Sequence, residues 1–164
     1  GKNIIEEIQD SIQIYEAMVK TGNDVLDTIL TEKSLACKEN DIVVSCVADG
    51  KGLEFLHPID LYTIFGNAMD NAIECVKNLQ KQEKRQIDVL IHRQHQFLIV
   101  QIMNPVEEEL EFEDNLPVTT KHDKAYHGYG LRSIKNSVKK YNGVFQVKIK
   151  DGCFCLKILF PIKE

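Results

Sequence analysis

Apolar residues at positions 5, 8, 12, 15, 19, 26 and 29, with Gly22 in the same series, are separated by alternating steps of three and four. Such spacing is the seam of a coiled coil or helix bundle. The residues around Ile5, Ile8, Ile12, Tyr15 and Val19 are mostly polar, so this helix offers one narrow stripe. It is expected to pack on another helix outside the compact domain, such as one in a second subunit; folding back on its own domain is the other reading. Gly22 and Asn23 are poor helix formers and mark a break or hinge before a second helix that runs through Cys37.

Residues 42–48 read as a strand closed by a turn at Asp49-Gly50-Lys51-Gly52. A helix follows, with Pro58 near its start and Asp60 in its first turn or as its cap; Leu61, Phe65, Ala68, Ala72, Val76 and Leu79 form its apolar side. Residues 86–93 and 97–104 give two strands joined tightly through 94–96. A second amphipathic helix is expected from about Tyr129 to Tyr141, stopping at Asn142-Gly143. Residues 144–150 and 153–160 close the chain as a hairpin turning at Asp151-Gly152. Helices first and paired strands last predict an α/β fold: a two-layer sandwich whose mixed, mostly antiparallel sheet carries helices on one face.

A chain of 164 residues supports one sizeable core. Its 43% hydrophobic and 27% charged residues exclude wholesale disorder. No apolar run approaches the 18 residues of a membrane span, the longest being broken by Gln101, and the N-terminus has no signal-peptide pattern. With 25 acidic against 20 basic residues, nucleic acid is not expected as the main partner. The five cysteines, at 37, 46, 75, 153 and 155, all fall in apolar-periodic segments and read as reduced core residues of an intracellular domain. A redox pair or a metal site is the alternative, without a third or fourth ligand near Cys153 and Cys155 in sequence to support zinc.

Candidate chemistry gathers in two places. Asn67, Asn71, Glu74 and Asn78 recur at steps of 4, 3 and 4 beside the apolar side of the central helix. They form either a solvated face or a row in which an Asn amide oxygen ligates a hard cation such as Mg²⁺. The run His127-Gly128-Tyr129-Gly130-Leu131 precedes a helical pattern with Arg132 and several lysines. Glycines admit a ligand to the backbone, and a helix N-terminus offers N–H groups to an anion. Neither a P-loop nor a dinucleotide fingerprint is present. Residues 105–127 lack periodicity and are long for a connection, which suits a lid or a plain surface loop; Thr119, Thr120 and Lys121 supply hydroxyls and an ammonium.

Asn67-Ala-Met-Asp-Asn71-Ala resembles the N box of the GHKL superfamily (gyrase, Hsp90, histidine kinases and MutL), and Gly128-Tyr-Gly-Leu131 resembles its second glycine box. Together with Thr119-Thr-Lys121, Tyr141-Asn-Gly143 and the 21–33 segment, they resemble the catalytic domains of peptide-responsive bacterial sensor kinases of the accessory-gene-regulator type. The resemblance covers residues 15–162 or so and implies an ATP-binding catalytic domain at 29–164, preceded at 1–28 by the end of a dimerisation helix and a linker.

Further implications follow residue by residue. Asn71 would bind Mg²⁺, and Asn67 stands where ATPase members carry a water-activating Glu, as suits a kinase that protects ATP from hydrolysis. Gly128, Gly130 and Leu131 would border the phosphates, Thr120, Lys121 and Arg132 would assist, and Lys77 is a weaker phosphate candidate. The usual Asp-x-Gly-x-Gly box is replaced by Asn104-Pro105, so Asn104 would accept the adenine N–H through its amide oxygen, with weaker affinity than a carboxylate. All five histidines lie within the catalytic portion, so the phosphoacceptor hairpin, any sensor and any membrane anchor are expected upstream. The implied whole is a homodimeric, membrane-anchored sensor whose cytoplasmic domain this is, serving a response regulator. A non-catalytic interaction module with a decayed pocket, or an ATPase of the same superfamily, remains open at this stage.

Overall fold

The computed structural model describes residues 20–107, 112–113, 116–117 and 124–163, with the backbone alone for 112–113, 116–117 and 124–128. Helix α1 (Asp24–Glu39) begins where the break is expected: the Asn23 side chain accepts the Leu26 N–H, and Gly22 takes a φ of +95°. Thr21 ties this approach to the domain by donating its N–H and hydroxyl to Asp27 Oδ1 and accepting the Gly50 N–H. Leu26, Ile29 and Leu30 are buried in the core, so the last two positions of the N-terminal seam serve this domain. The expected boundary between residues 28 and 29 falls inside α1, and the seam positions Ile5 to Val19 lie outside the described residues.

Five strands form one sheet in the order β1-β2-β3-β7-β6: β1 (Val43–Ala48), β2 (Gln86–Gln94), β3 (Phe97–Pro105), β6 (Val144–Lys150) and β7 (Cys153–Pro161). β1 and β2 are parallel, with Val44 opposite Ile87 and Cys46 opposite Val89, while the other pairs are antiparallel. A parallel pair needs a long crossover. Here it carries helix α2 (58–76), built of an α segment Pro58–Leu61, a π turn Tyr62–Gly66 and a second α segment Asn67–Val76. The π turn departs from the uniform helix expected, because the apolar spacing of Leu61, Phe65 and Ala68 fits either winding. The β6–β7 turn puts both Asp151 (φ +53°) and Gly152 (φ +73°) in the left-handed region, the geometry of a tight hairpin. Between β3 and helix α3 (Lys124–Lys139), the two-residue strands β4 (Phe112–Glu113) and β5 (Leu116–Pro117) pair with each other.

Alternation along the strands sends Ile87, Val89, Ile91, Leu98, Val100, Ile102, Phe154, Leu156, Ile158 and Phe160 to one face. There they meet Ile64, Phe65, Ala68, Met69 and Val76 of α2 and Leu131, Ile134 and Val138 of α3 (Lys124–Lys139) in one core. The opposite sheet face leaves Val43, Val47, Phe97 and Val144 exposed, which makes this the predicted two-layer sandwich.

Helix α3 corrects one expectation. It starts at Lys124, so Gly128 and Gly130 lie within the helix and not ahead of it. It stops where expected, ahead of Asn142-Gly143, with Asn142 (φ +57°) in the left-handed position. Gly143 serves close packing, since a Cβ there would stand 2.7 Å from Val138 Cγ1 and 3.0 Å from the Leu159 carbonyl. Just beyond α3, the Tyr141 hydroxyl donates to Asp60 Oδ2 in the first turn of α2 and accepts the His57 N–H, and Lys140 Nζ lies 3.0 Å from Asp60 Oδ1. The Tyr141 ring meets Phe55 and Phe160 edge to face.

Candidate functional site

Helix α2 carries Asn67, Asn71 and Cys75 at steps of four, so the three form one row about 12 Å long on a single side of the helix. Asn67 sits directly after the π turn and donates its Nδ2 to the Thr63 carbonyl at 2.7 Å, which fixes the orientation of its amide. Its Oδ1 faces Gly130 of α3: a Cβ on that glycine would stand 3.3 Å from Oδ1. Glycine inside a helix costs about 1 kcal/mol relative to alanine. The gain at position 130 is the close approach of two helices at a polar contact.

One turn further, Asn71 is 9% exposed, and its carboxamide makes no hydrogen bond with any described residue. An amide oxygen held this way is available to a ligand or a hard cation. At the far end of the row, β3 presents Asn104 on the helix-facing side of the sheet, 2% exposed. Asn104 Nδ2 donates to the Pro105 carbonyl at 3.0 Å, while the buried Oδ1 has no donor among the described residues. A buried acceptor without a donor costs on the order of 1–3 kcal/mol, so its persistence points to a ligand that supplies an N–H. The Cys75 thiol lies beside the Asn104 amide; burial pushes the thiol up, the amide opposes that, and Glu74 adds to it.

The structure thus brings together Asn67, Asn71, Asn104 and Gly130. Leu131, beside Gly130, is buried in the core, and Arg132 is exposed on α3. Lys77 ends α2 in an ion pair with Glu74 at 2.7 Å, and Asn78 is exposed beyond it. Lys33 of α1 pairs with Asp70 at 2.7 Å, anchoring α2 next to Asn71. Thr120 and Lys121 lie outside the described residues, and Gly128 is described only as part of the α3 backbone. Cys75 was missed in the sequence because its apolar neighbours mark it as core; only its spacing of four from Asn71 signals a place in the row. The five cysteines are free thiols, with Cys37 and Cys46 pushed up by burial to about 11.

No cluster of three or more His, Cys, Asp or Glu side chains suited to a metal ion occurs among the described residues, so a cation here would rely on amide and ligand oxygens. Among the described residues no helix is long and apolar enough to cross a membrane.

Solved structures share this architecture. The catalytic domain of histidine kinase ThkA, in a nucleotide-free form, matches with a TM-score of 0.63 at 15% identity over 84% of this chain and 91% of that one. The Acinetobacter baumannii histidine kinase AdeS matches with a TM-score of 0.61 at 12% identity over 98% of this chain and 81% of that one. At such identities the likeness is one of fold: that of a histidine-kinase catalytic domain. No curated protein sequence matches the chain. The family model described as GHKL domain matches residues 56–161, which include the whole Asn67–Asn71–Cys75 row, Asn104 and Gly130. By that match over more than half of its length, the chain belongs to the GHKL domain family.

Proposed function

We propose that the domain binds ATP with Mg²⁺ along the Asn67–Asn71–Cys75 row and acts as the catalytic domain of a sensor histidine kinase, transferring the γ-phosphoryl group to a histidine on another segment. The observation that carries this reading is the buried Asn104 Oδ1, without a donor among the described residues, at one end of the row, paired with the Asn67–Gly130 contact at the other. The base belongs at the Asn104 end, where its exocyclic N–H meets the free acceptor. The triphosphate belongs at the Asn67–Gly130 end. Asn71, between them, would hold Mg²⁺ through its amide oxygen; the ion supplies charge neutralisation to the phosphate oxygens when bound.

An amide at position 67 cannot serve as a base toward water, which favours phosphoryl transfer over ATP hydrolysis. In this reading Thr120, Lys121 and Arg132 assist at the phosphates, and Lys77 joins them only by leaving Glu74. The wider assignment is to the accessory-gene-regulator type: a homodimeric, membrane-anchored sensor with this domain in the cytoplasm, a phosphoacceptor hairpin upstream and a response regulator as the next partner. It rests on the sequence resemblance around Asn67–Asn71 and Gly128–Leu131.

Isothermal titration with ATP, with and without Mg²⁺, tests the reading. Mg²⁺-strengthened binding is expected, with negligible hydrolysis and with phosphate transferred to an added acceptor hairpin. Absence of binding under both conditions refutes it in favour of a non-catalytic interaction module.

A further inference from the structure

We propose that Cys75 is a covalent-modification site at the base end of the nucleotide groove, addressed by a neutral, flat N–H donor ligand that carries an electron-poor alkene. The proposal deepens the nucleotide reading and rests on it. Cys75 follows Asn71 by one turn on the same side of α2, and its thiol lies beside the Asn104 carboxamide. Asn104 supplies an independent sign of a ligand: it is 2% exposed, its Nδ2 is engaged by the Pro105 carbonyl, and its Oδ1 has no donor among the described residues. A ligand N–H that satisfies Oδ1 is therefore held next to a sulfur nucleophile.

Position separates Cys75 from the other thiols. Cys37 is fully buried in the core, and Cys46 faces the helix layer from β1, where Asp27 adds to the effect of burial. Cys153 and Cys155 alternate with the inward Phe154 and Leu156 and so belong to the open face of the sheet. Burial keeps the Cys75 thiol protonated at neutral pH, so it reacts slowly with a reagent that merely collides with it. A ligand docked on Asn104 gains from being held in place. In the addition, the sulfur bonds to one alkene carbon, the π pair of the alkene shifts to its neighbour, and that carbon takes up the proton released by the thiol. Nothing is oxidised or reduced.

The test uses the full 164-residue chain at pH 8 and maleimide as the probe, whose imide N–H can donate to Asn104 Oδ1, with adducts assigned by peptide mass mapping and nucleotide binding followed by calorimetry. N-ethylmaleimide, which lacks that N–H, is expected to label Cys75, relative to Cys153 and Cys155, at least tenfold more slowly than maleimide does, and equal relative rates overturn the proposal. Saturating ATP with Mg²⁺ is expected to slow labelling of Cys75 at least tenfold while changing Cys153 and Cys155 less than twofold. Protein labelled at Cys75 is expected to lose ATP binding at least tenfold. Treatment of the Cys75→Ser protein is expected to leave its own titration unchanged. If the unmodified chain binds no ATP, the reading of the groove falls and the proposal with it. If ATP binds but leaves Cys75 labelling unaltered, or if the treated Cys75→Ser protein loses binding as the native chain does, the proposal alone is overturned.

Discussion

Replacing Tyr141 by Phe isolates the link between the first turn of α2 and the end of α3. The ring stays, and with it the edge-to-face contacts to Phe55 and Phe160; only the hydroxyl is lost. That hydroxyl donates to the buried Asp60 carboxylate and accepts the His57 N–H, while Lys140 continues to hold the other carboxylate oxygen. A hydrogen bond to a charged group contributes about 1.5–3 kcal/mol, so a loss of about 2 kcal/mol is expected at pH 7. For a chain of this size it corresponds to a fall in Tm of roughly 4 to 8 °C.

The pH dependence has a definite sign. The Tyr141 hydrogen bond, with Lys140 behind it, holds the Asp60 carboxyl below its ordinary value of 3.8, and burial opposes them. A depressed folded pKa gives stability that is fully present above the unfolded value and lost as pH falls through the folded one. The mutational difference, read from urea unfolding, should therefore be constant from pH 7 down to about 4 and shrink by about 1 kcal/mol once Asp60 is protonated. A difference below about 0.5 kcal/mol at pH 7, or one that grows as pH falls, refutes the assignment of a charged hydrogen bond to this pair.

Asn71→Ala should weaken ATP binding at least tenfold, about 1.4 kcal/mol, in Mg²⁺ and far less in its absence, as measured by calorimetry on protein shown to be folded by circular dichroism. Asn104→Ala should lower ATP affinity about fivefold, or 1 kcal/mol, and abolish any preference for ATP over inosine triphosphate, which lacks the 6-amino donor. For Gly130→Ala, a helix-propensity gain of about 1 kcal/mol offsets the 3.3 Å approach to Asn67 Oδ1. Thermal stability should thus change little while ATP affinity falls, because Asn67 is held by Thr63 and must be displaced. Gly50→Ala places a Cβ 2.0 Å from Thr21 Oγ1 and should destabilise the fold by about 1–3 kcal/mol in urea unfolding.

Strands and their turns are local matters of alternation, so the hairpins at His95 and at Asp151-Gly152 were legible in the chain. The break at Gly22-Asn23 was legible for the same reason, through poor helix formers followed by a capping residue. Cys153 and Cys155, read as core residues, instead alternate with the buried Phe154 and Leu156 and lie on the open face of the sheet. Asn67 and Asn71 could be singled out because they recur in a polar row along a helix that asparagine does not favour, and Asn104 through the resemblance alone, where it replaces the usual Asp box. Three features required the third dimension. The π turn at Tyr62–Gly66 leaves apolar spacing unchanged over its one turn, yet it sets the rotation of every site residue after it. Gly130 was read as backbone that admits a ligand at the start of the helix, and its part in packing α3 against Asn67 follows only from the fold. Cys75 meets Asn104, and Asp60 meets Tyr141, across 29 and 81 positions of sequence; no pattern along the chain encodes contacts between residues so far apart, which exist only once the helix layer closes on the sheet.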